Sequence, residues 1–291
     1  MKRTITLLAI ATVFSCSKNS DKADGYGNFE ATETTISAEA NGKIDFLKVE
    51  EGDQLQPNTQ VGLVDTLQLY FSKQQLIASK STIASKSVNV LSQKSVLQEQ
   101  LKTAHLEKNR IHNMYSENAA TQRQVDEIDG KVKVIEEQIK SVGTQNAPIA
   151  NDVKSIDVQI AKINDQIQKS KVINPIQGTV LAKYAEAKEI TAFGKPLYKI
   201  ADLSEMTLRV YISETQLSKI KVGQQVTVKI DAEKDMKSFP GTISWIASSA
   251  EFTPKIIQTK DERVNLVYAV KVNVKNNGSL KIGMPAEMWI K

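Results

Sequence analysis

The sequence predicts an α+β chain of elongated form: a β domain interrupted by a long antiparallel coiled-coil hairpin, followed by a small β-barrel. Three observations predict it. Apolar residues recur at heptad spacing through the middle of the chain, the stretches flanking that region align with each other without a gap, and the residues from Met206 onward alternate apolar with polar.

The central helices come first because their signal is the longest. Between Thr66 and Tyr115 there is no Gly and no Pro, and Leu69, Leu76, Ile83, Val90, Leu97, Ala104 and Ile111 recur every seven residues, the repeat of a coiled-coil seam. A return arm carries Val125, Val132, Ile139, Val153, Ile160 and Ile167 interleaved with Ile128, Ile135, Val142, Ile149, Ile156 and Ile163, interrupted at Asn146 and Ser170. Ser116 to Ala120 break the pattern with polar and small residues. The Thr121 hydroxyl can accept an exposed backbone N–H and so cap the second arm. Two arms of nearly equal length pack antiparallel, and about 50 residues at a rise of about 1.5 Å give an arm on the order of 75 Å long. Pro148 removes a backbone donor inside the second arm, so a kink is expected there.

Residues 36–66 align with 172–202 at a constant offset. Gly42 meets Gly178, Ile44 meets Val180, Glu50 meets Glu186, Asp53 meets Glu189, Asn58 meets Gly194, Val61 meets Leu197 and Val64 meets Ile200. Each stretch has short β-like runs punctuated by turn residues, and neither is large enough to bury a core alone. They are therefore expected to form one β unit from which the helices project. Beyond Met206, apolar positions alternate at Leu208, Val210 and Ile212, at Val226, Val228 and Ile230, and at Val270, Val272 and Val274. Gly223, Gly241, Gly283 and Asn276-Asn277-Gly278 mark turns, the pattern of a small closed barrel.

At the N-terminus, Lys2 and Arg3 precede an uncharged apolar run, Ile5 to Phe14, too short to span a bilayer, which takes about 20 apolar residues. Val13-Phe14-Ser15-Cys16 resembles the lipobox of bacterial lipoproteins, with Phe14 as its one departure. Residues 1–15 thus read as a signal peptide, Cys16 as a lipidation site and 16–31 as a lipidated, flexible tether. As the only cysteine, Cys16 has no intramolecular disulfide partner.

Ile36–Ile44 (ISAEANGKI), Val49–Asp53 (VEEGD) and Val172–Val180 (VINPIQGTV) resemble the two half-motifs of the membrane fusion protein, or periplasmic adaptor, family typified by the hemolysin-secretion (HlyD-like) adaptor. Val222–Val228 (VGQQVTV) and Ile282–Ala286 (IGMPA) are similar to segments of the family's barrel. The resemblance implies a lipoyl-like β-sandwich in two halves, 32–65 and 172–202, a hairpin over 66–171 and a β-barrel over 203–291. Carrier proteins with that sandwich present a modifiable lysine where Asp65 and Thr66 stand here, so carrier chemistry is not expected. The resemblance also implies a homo-oligomer, trimer or hexamer, that links an inner-membrane transporter to a TolC-like outer-membrane channel. Residues 250–268 are similar to adaptors of ATP-binding-cassette (ABC) exporters, which favours an ABC permease and ATPase as partner. Arg110, Met114 and Thr121 stand at the spacing of the family's Arg-Leu-Ser channel-docking set, offering fixed donors, an apolar contact and a hydroxyl.

The expected location is the periplasm, held by lipid and favouring the inner membrane, although Ser17 would suggest the outer membrane under the sorting rule of enteric bacteria. A net charge of +5 is too weak and dispersed for nucleic acid. Phosphate-binding glycine loops and activated nucleophiles are absent from the sequence, so neither an enzyme nor a cofactor is expected. His105 and His112, the only histidines, lie seven apart on one helix face and read as residues set among neighbouring hairpins, not as metal ligands. The alternative function is a lipoprotein coiled-coil scaffold of the cell envelope without any transport.

Overall fold

The computed structural model describes residues 22–232, 235–252 and 266–290. Cys16 and the leader lie outside the described residues, as does 253–265, most of the segment similar to ABC-exporter adaptors. In chain order the strands are β1 (Gly25–Glu30), β2 (Glu33–Ser37), β3 (Gly42–Leu47), β4 (Gln54–Leu55) and β5 (Thr59–Val64). Helices α1 (Leu67–Ser116), α2 (Gln122–Thr144) and α3 (Asn146–Lys169) follow. Next come β6 (Lys171–Asn174), β7 (Gly178–Lys183), β8 (Ile190–Thr191), β9 (Pro196–Ala201) and β10 (Glu205–Ser213). The one-turn helix α4 (Glu214–Leu217) precedes β11 (Gln225–Ile230), β12 (Lys237–Ile246), β13 (Glu251–Phe252), β14 (Leu266–Lys275) and β15 (Pro285–Trp289). Two compact units result: Thr34–Ile200, and the chain up to Glu33 together with that from Ala201 onward.

In the first unit the repeat becomes a pair of four-stranded sheets, ordered β2-β9-β7-β4 and β6-β5-β3-β8. Each sheet takes its two inner strands from one half of the repeat and its two outer strands from the other, so neither half can fold without its mate. The backbone hydrogen bonds repeat with the sequence. Val180 N–H donates to the Asp53 carbonyl as Ile44 N–H does to that of Glu189, and Gly52 N–H donates to Val180 as Lys188 N–H does to Ile44. Ile44, Val49 and Val61 of one half and Val180, Ala185 and Leu197 of the other are buried in a common core.

This interleaving aims the helices. β5, which leads into α1, is the antiparallel neighbour of β6, which follows α3, with Leu63 opposite Lys171 and Thr59 opposite Asn174. The two arms therefore leave the sheet side by side. At the exit the Leu67 N–H donates to the Asp65 carboxylate at 2.8 Å, which satisfies one of the open donors of the first turn. The second arm differs from the continuous, kinked helix expected. It is two helices interrupted at Gln145, whose φ of −70° and ψ of −17° stay in the right-handed region. Pro148 has no N–H for the Thr144 carbonyl, so the hydrogen-bond ladder is interrupted with the backbone still helical. Among the described residues no helix is long and apolar enough to cross a membrane.

The seam between the arms is more polar than the heptads alone suggest. Leu69, Leu76, Ile83, Val90, Leu97, Ala104 and Ile111 are at least half-buried, but so are Lys73, Lys80, Ser87, Lys94, Leu101 and Lys108, the second position of each heptad. Lys80 pairs with Asp157 of α3 at 2.6 Å, and Lys108 with Asp129 of α2 at 3.1 Å. The Ser87 hydroxyl meets the Asn146 side-chain oxygen at 3.0 Å, so the polar interruption of the return stripe has a polar partner opposite it. Lysines can lie along such a seam because their methylene stems cover apolar surface while the ammonium reaches a carboxylate at the edge.

The second unit is a closed antiparallel barrel with strand order β10-β1-β15-β11-β12-β14, the ring completed by pairing of β10 with β14. Its core holds Phe29, Met206, Leu208, Val228, Val272 and Met288, all fully buried. Here the expected tether needs correction, because Gly25–Glu30 is not a tether but the strand that bridges β10 and β15. Its polar residues Tyr26, Asn28 and Glu30 alternate with the buried Gly25 and Phe29 and with Gly27, and a single large apolar residue in a polar stretch hides a strand from composition. Glycine at 27 is obligatory, since a Cβ there would lie 1.8 Å from the Arg209 carbonyl oxygen.

Candidate functional site: the hairpin tip

The far end of the hairpin is built by two helix-stop signals back to back. α1 ends in a Schellman motif: Ala119 N–H donates to the Met114 carbonyl at 2.7 Å, and Asn118 N–H to that of Tyr115 at 3.0 Å. Asn118 takes the left-handed conformation this requires, with φ of 59°, and asparagine tolerates that region better than most residues. α2 then begins with a capping box. The Gln124 N–H donates to the Thr121 hydroxyl at 3.4 Å, and the Thr121 N–H donates to the Gln124 side-chain oxygen at 2.8 Å. The turn at 117–121 is thus held at one end by backbone hydrogen bonds and at the other by the Thr121 and Gln124 side chains.

The expected docking residues stand around this turn. Arg110 and Met114, four apart, share a face of the last turns of α1. The Arg110 side chain is 70% exposed and donates through Nη1 to Glu107 Oε2 at 2.9 Å, which leaves its other guanidinium nitrogens to solvent. Met114 is 40% exposed. Thr121 heads the other arm, but its hydroxyl proton goes to Gln124 Oε1 at 3.0 Å, so it is occupied as a cap. Tyr115, 43% exposed and adjacent to Met114, was not singled out by the sequence pattern. Its signal is that it stands seven residues after Lys108, at the second seam position of the heptad, where the hairpin ends and no longer covers it.

Below the tip the electrostatics are asymmetric. His105 and His112, expected among neighbouring hairpins, face the second arm of their own. His112 Nε2 lies 3.0 Å from Asp129 Oδ1, and His105 Nε2 lies 4.0 Å from Glu136 Oε1. The His112 hydrogen bond first, and that of Lys108 second, hold the Asp129 carboxyl below the usual carboxylate range, so it stays an anion across the neutral and mildly acidic range. Among the described residues no group of three or more His, Cys, Asp or Glu is arranged to hold a metal ion.

Residues 206–290, within the barrel unit, match the YknX-like beta-barrel domain. A UPF0194 membrane protein of Acidithiobacillus ferridurans is 31% identical over 126 residues, 43% of this chain and 37% of that protein, so the chain spans little more than a third of that relative's length. The UPF0194 membrane protein YbhG of Salmonella arizonae is 24% identical over 97% of this chain and 92% of its own. The fold extends the likeness. MacA from Actinobacillus actinomycetemcomitans aligns with a TM-score of 0.57 at 19% identity, covering 91% of this chain and 76% of that one. The membrane fusion protein Spr0693 of Streptococcus pneumoniae R6 aligns at 0.50 and 19%, covering 91% and 97%. Residues 206–290 are thus similar to a YknX-like barrel, and the chain shares the fold of MacA and of Spr0693.

Proposed function

We propose that this chain is a periplasmic adaptor that links an inner-membrane transporter to a TolC-like outer-membrane channel, acting mechanically and not as an enzyme. The observation that carries the reading is the interleaved β unit, which obliges α1 and α3 to leave side by side and so carries Arg110, Met114 and Thr121 to the far end of the hairpin. There Arg110 presents donors in a fixed fork and Met114 with Tyr115 an adaptable apolar surface, a combination suited to the end of another helical hairpin. In this reading Thr121 acts chiefly by holding the turn. Lipid on Cys16 anchors the chain, with the inner membrane favoured, and the similarity of 250–268 to ABC-exporter adaptors favours an ABC permease and ATPase as the transporter.

Self-association into a ring of three or six copies is part of the proposal. α1 carries a second apolar stripe away from its own seam, with Leu67, Tyr70, Phe71, Ile77, Val88 and Leu91 all more than 40% exposed. Such an unpartnered stripe fits the flank of a second copy. A photo-crosslinker placed at 110, 114 or 115 in intact envelopes tests the docking proposal. Capture of an outer-membrane channel protein is the expected result. Recovery of this chain alone from all three positions would overturn docking and favour the coiled-coil scaffold.

A further inference from the structure

Both histidines of the chain lie on α1, seven residues apart, and both face a carboxylate of α2. One lies within the docking segment and one below it: His112 stands between Arg110 and Met114, and His105 about three turns from the end of the helix at Ser116. We propose that the two imidazoles form a proton-operated clasp that tightens the hairpin tip as the periplasm acidifies.

The chemistry follows from what each ring faces. His112 approaches Asp129 at 3.0 Å, and Lys108, one turn earlier on α1, approaches the same carboxylate oxygen at 3.1 Å. His105 approaches Glu136 at 4.0 Å. These are the charged groups facing the two rings in the contacts of α1 and α2. Imidazole side chains change charge between about pH 5 and 8, a range in which Asp129, held below the usual carboxylate range, remains an anion. Protonation therefore converts a neutral hydrogen bond into a charge-assisted one at His112, and adds an ion pair at His105. Repulsion between His112 and Lys108 offsets part of this. All the partners are roughly half exposed, with side chains 35 to 52% accessible, so solvent screens the rest. The clasp is a modest bias, and it acts at the edge of a seam already held by Val125, Ile128, Val132 and Ile135 of α2. The inference goes beyond the adaptor reading and stands on the hairpin alone.

Hydrogen exchange on the full mature protein tests it, with rates corrected for the intrinsic effect of pH. Protection of the amides of 112–125 is expected to rise about two- to fivefold between pH 8 and pH 5.5, the range expected for one or two half-exposed ion pairs. Amides of 70–90 serve as the control and stay level. The double substitution His105→Asn with His112→Asn removes the rise, with at most a small loss at pH 8 from the neutral His112 hydrogen bond. Asp129→Asn lowers protection at both pH values, because Lys108 loses its partner as well. A wild-type tip whose protection is the same at both pH values, or a double variant that keeps the full rise, would overturn the clasp whether or not the chain docks on a channel.

Discussion

The two halves of the β unit have the same backbone and different cores. Most of the turn hydrogen bonds repeat, and two left-handed positions correspond: Gly52 and Lys188 have φ of 96° and 76°, Asn58 and Gly194 have 61° and 83°. Inside, the chemistry diverges. The first half packs Ala38, Leu47 and Gly62, where a Cβ on Gly62 would stand 3.0 Å from Leu47 and 3.1 Å from the Phe46 carbonyl. The second half places Asn174, Lys183 and Tyr198 at the corresponding positions. Tyr198 is fully buried and donates to Asn174 Oδ1 at 3.1 Å, while the Asn174 amide donates to the carbonyls of Gln56 and Ile176. Lys183, with 9% of its side chain exposed, bridges Glu50 of the first half and Glu186 of the second at 2.9 and 2.7 Å. A two-fold backbone can therefore be stabilised by tight apolar packing on one side and by a satisfied polar network on the other.

The sharpest way to break that difference is at its largest residue. Tyr198→Ala should destabilise the β unit by about 3–5 kcal/mol, the range for emptying a large aromatic site, while Tyr198→Phe should cost about 1 kcal/mol for the lost hydrogen bond. Denaturant midpoints of the mature protein would show both. The same pair predicts a pH effect. Burial pushes the Tyr198 hydroxyl up to about 12, above its ordinary value of 10.0. The neutral form is thus the one the fold favours, and the associated stability is complete below pH 10 and lost as pH rises from there through about 12. Tyr198→Phe should flatten that alkaline limb.

On the opposite half, Gly62→Ala should cost about 1–3 kcal/mol by overpacking, although the matched position holds a tyrosine. Equal tolerance of alanine at 62 and 198 would show that the two cores are interchangeable after all. Lys183→Met, which keeps the length and removes the charge, should cost about 1–2 kcal/mol, since both lost hydrogen bonds run to ionised carboxylates that remain exposed to solvent. The smallest expected effect is a gain. Lys188 occupies a left-handed position that its counterpart fills with Gly52, so Lys188→Gly should stabilise by up to about 1 kcal/mol, visible as a rise in Tm.

Most of the framework was legible in the sequence because it is written in periodicity. The seven-residue recurrence of Leu69 through Ile111 marks α1, and the gapless match of Gly42 with Gly178 and of Val61 with Leu197 marks the split β unit. The candidate tip was legible in part. Arg110, Met114 and Thr121 came from a spacing, but Thr121 proved to hold its proton within the capping box, and Tyr115 continues a heptad position held mostly by lysines, which hid it. The strand at Gly25–Glu30 escaped because only Phe29 among its side chains is large, apolar and buried.

What the sequence determined by itself, then, is everything that depends on the order of apolar and turn residues along one segment: helix, strand, turn and the pairing of two like segments. The tertiary structure alone decided which strands cross between sheets, that the barrel closes through a strand from the other end of the chain, and that lysines of α1 and a serine find acidic and amide partners on the returning arm. Those outcomes depend on the distance between residues far apart in sequence, and hydrogen bonds and ion pairs of that kind leave no periodic trace in either partner.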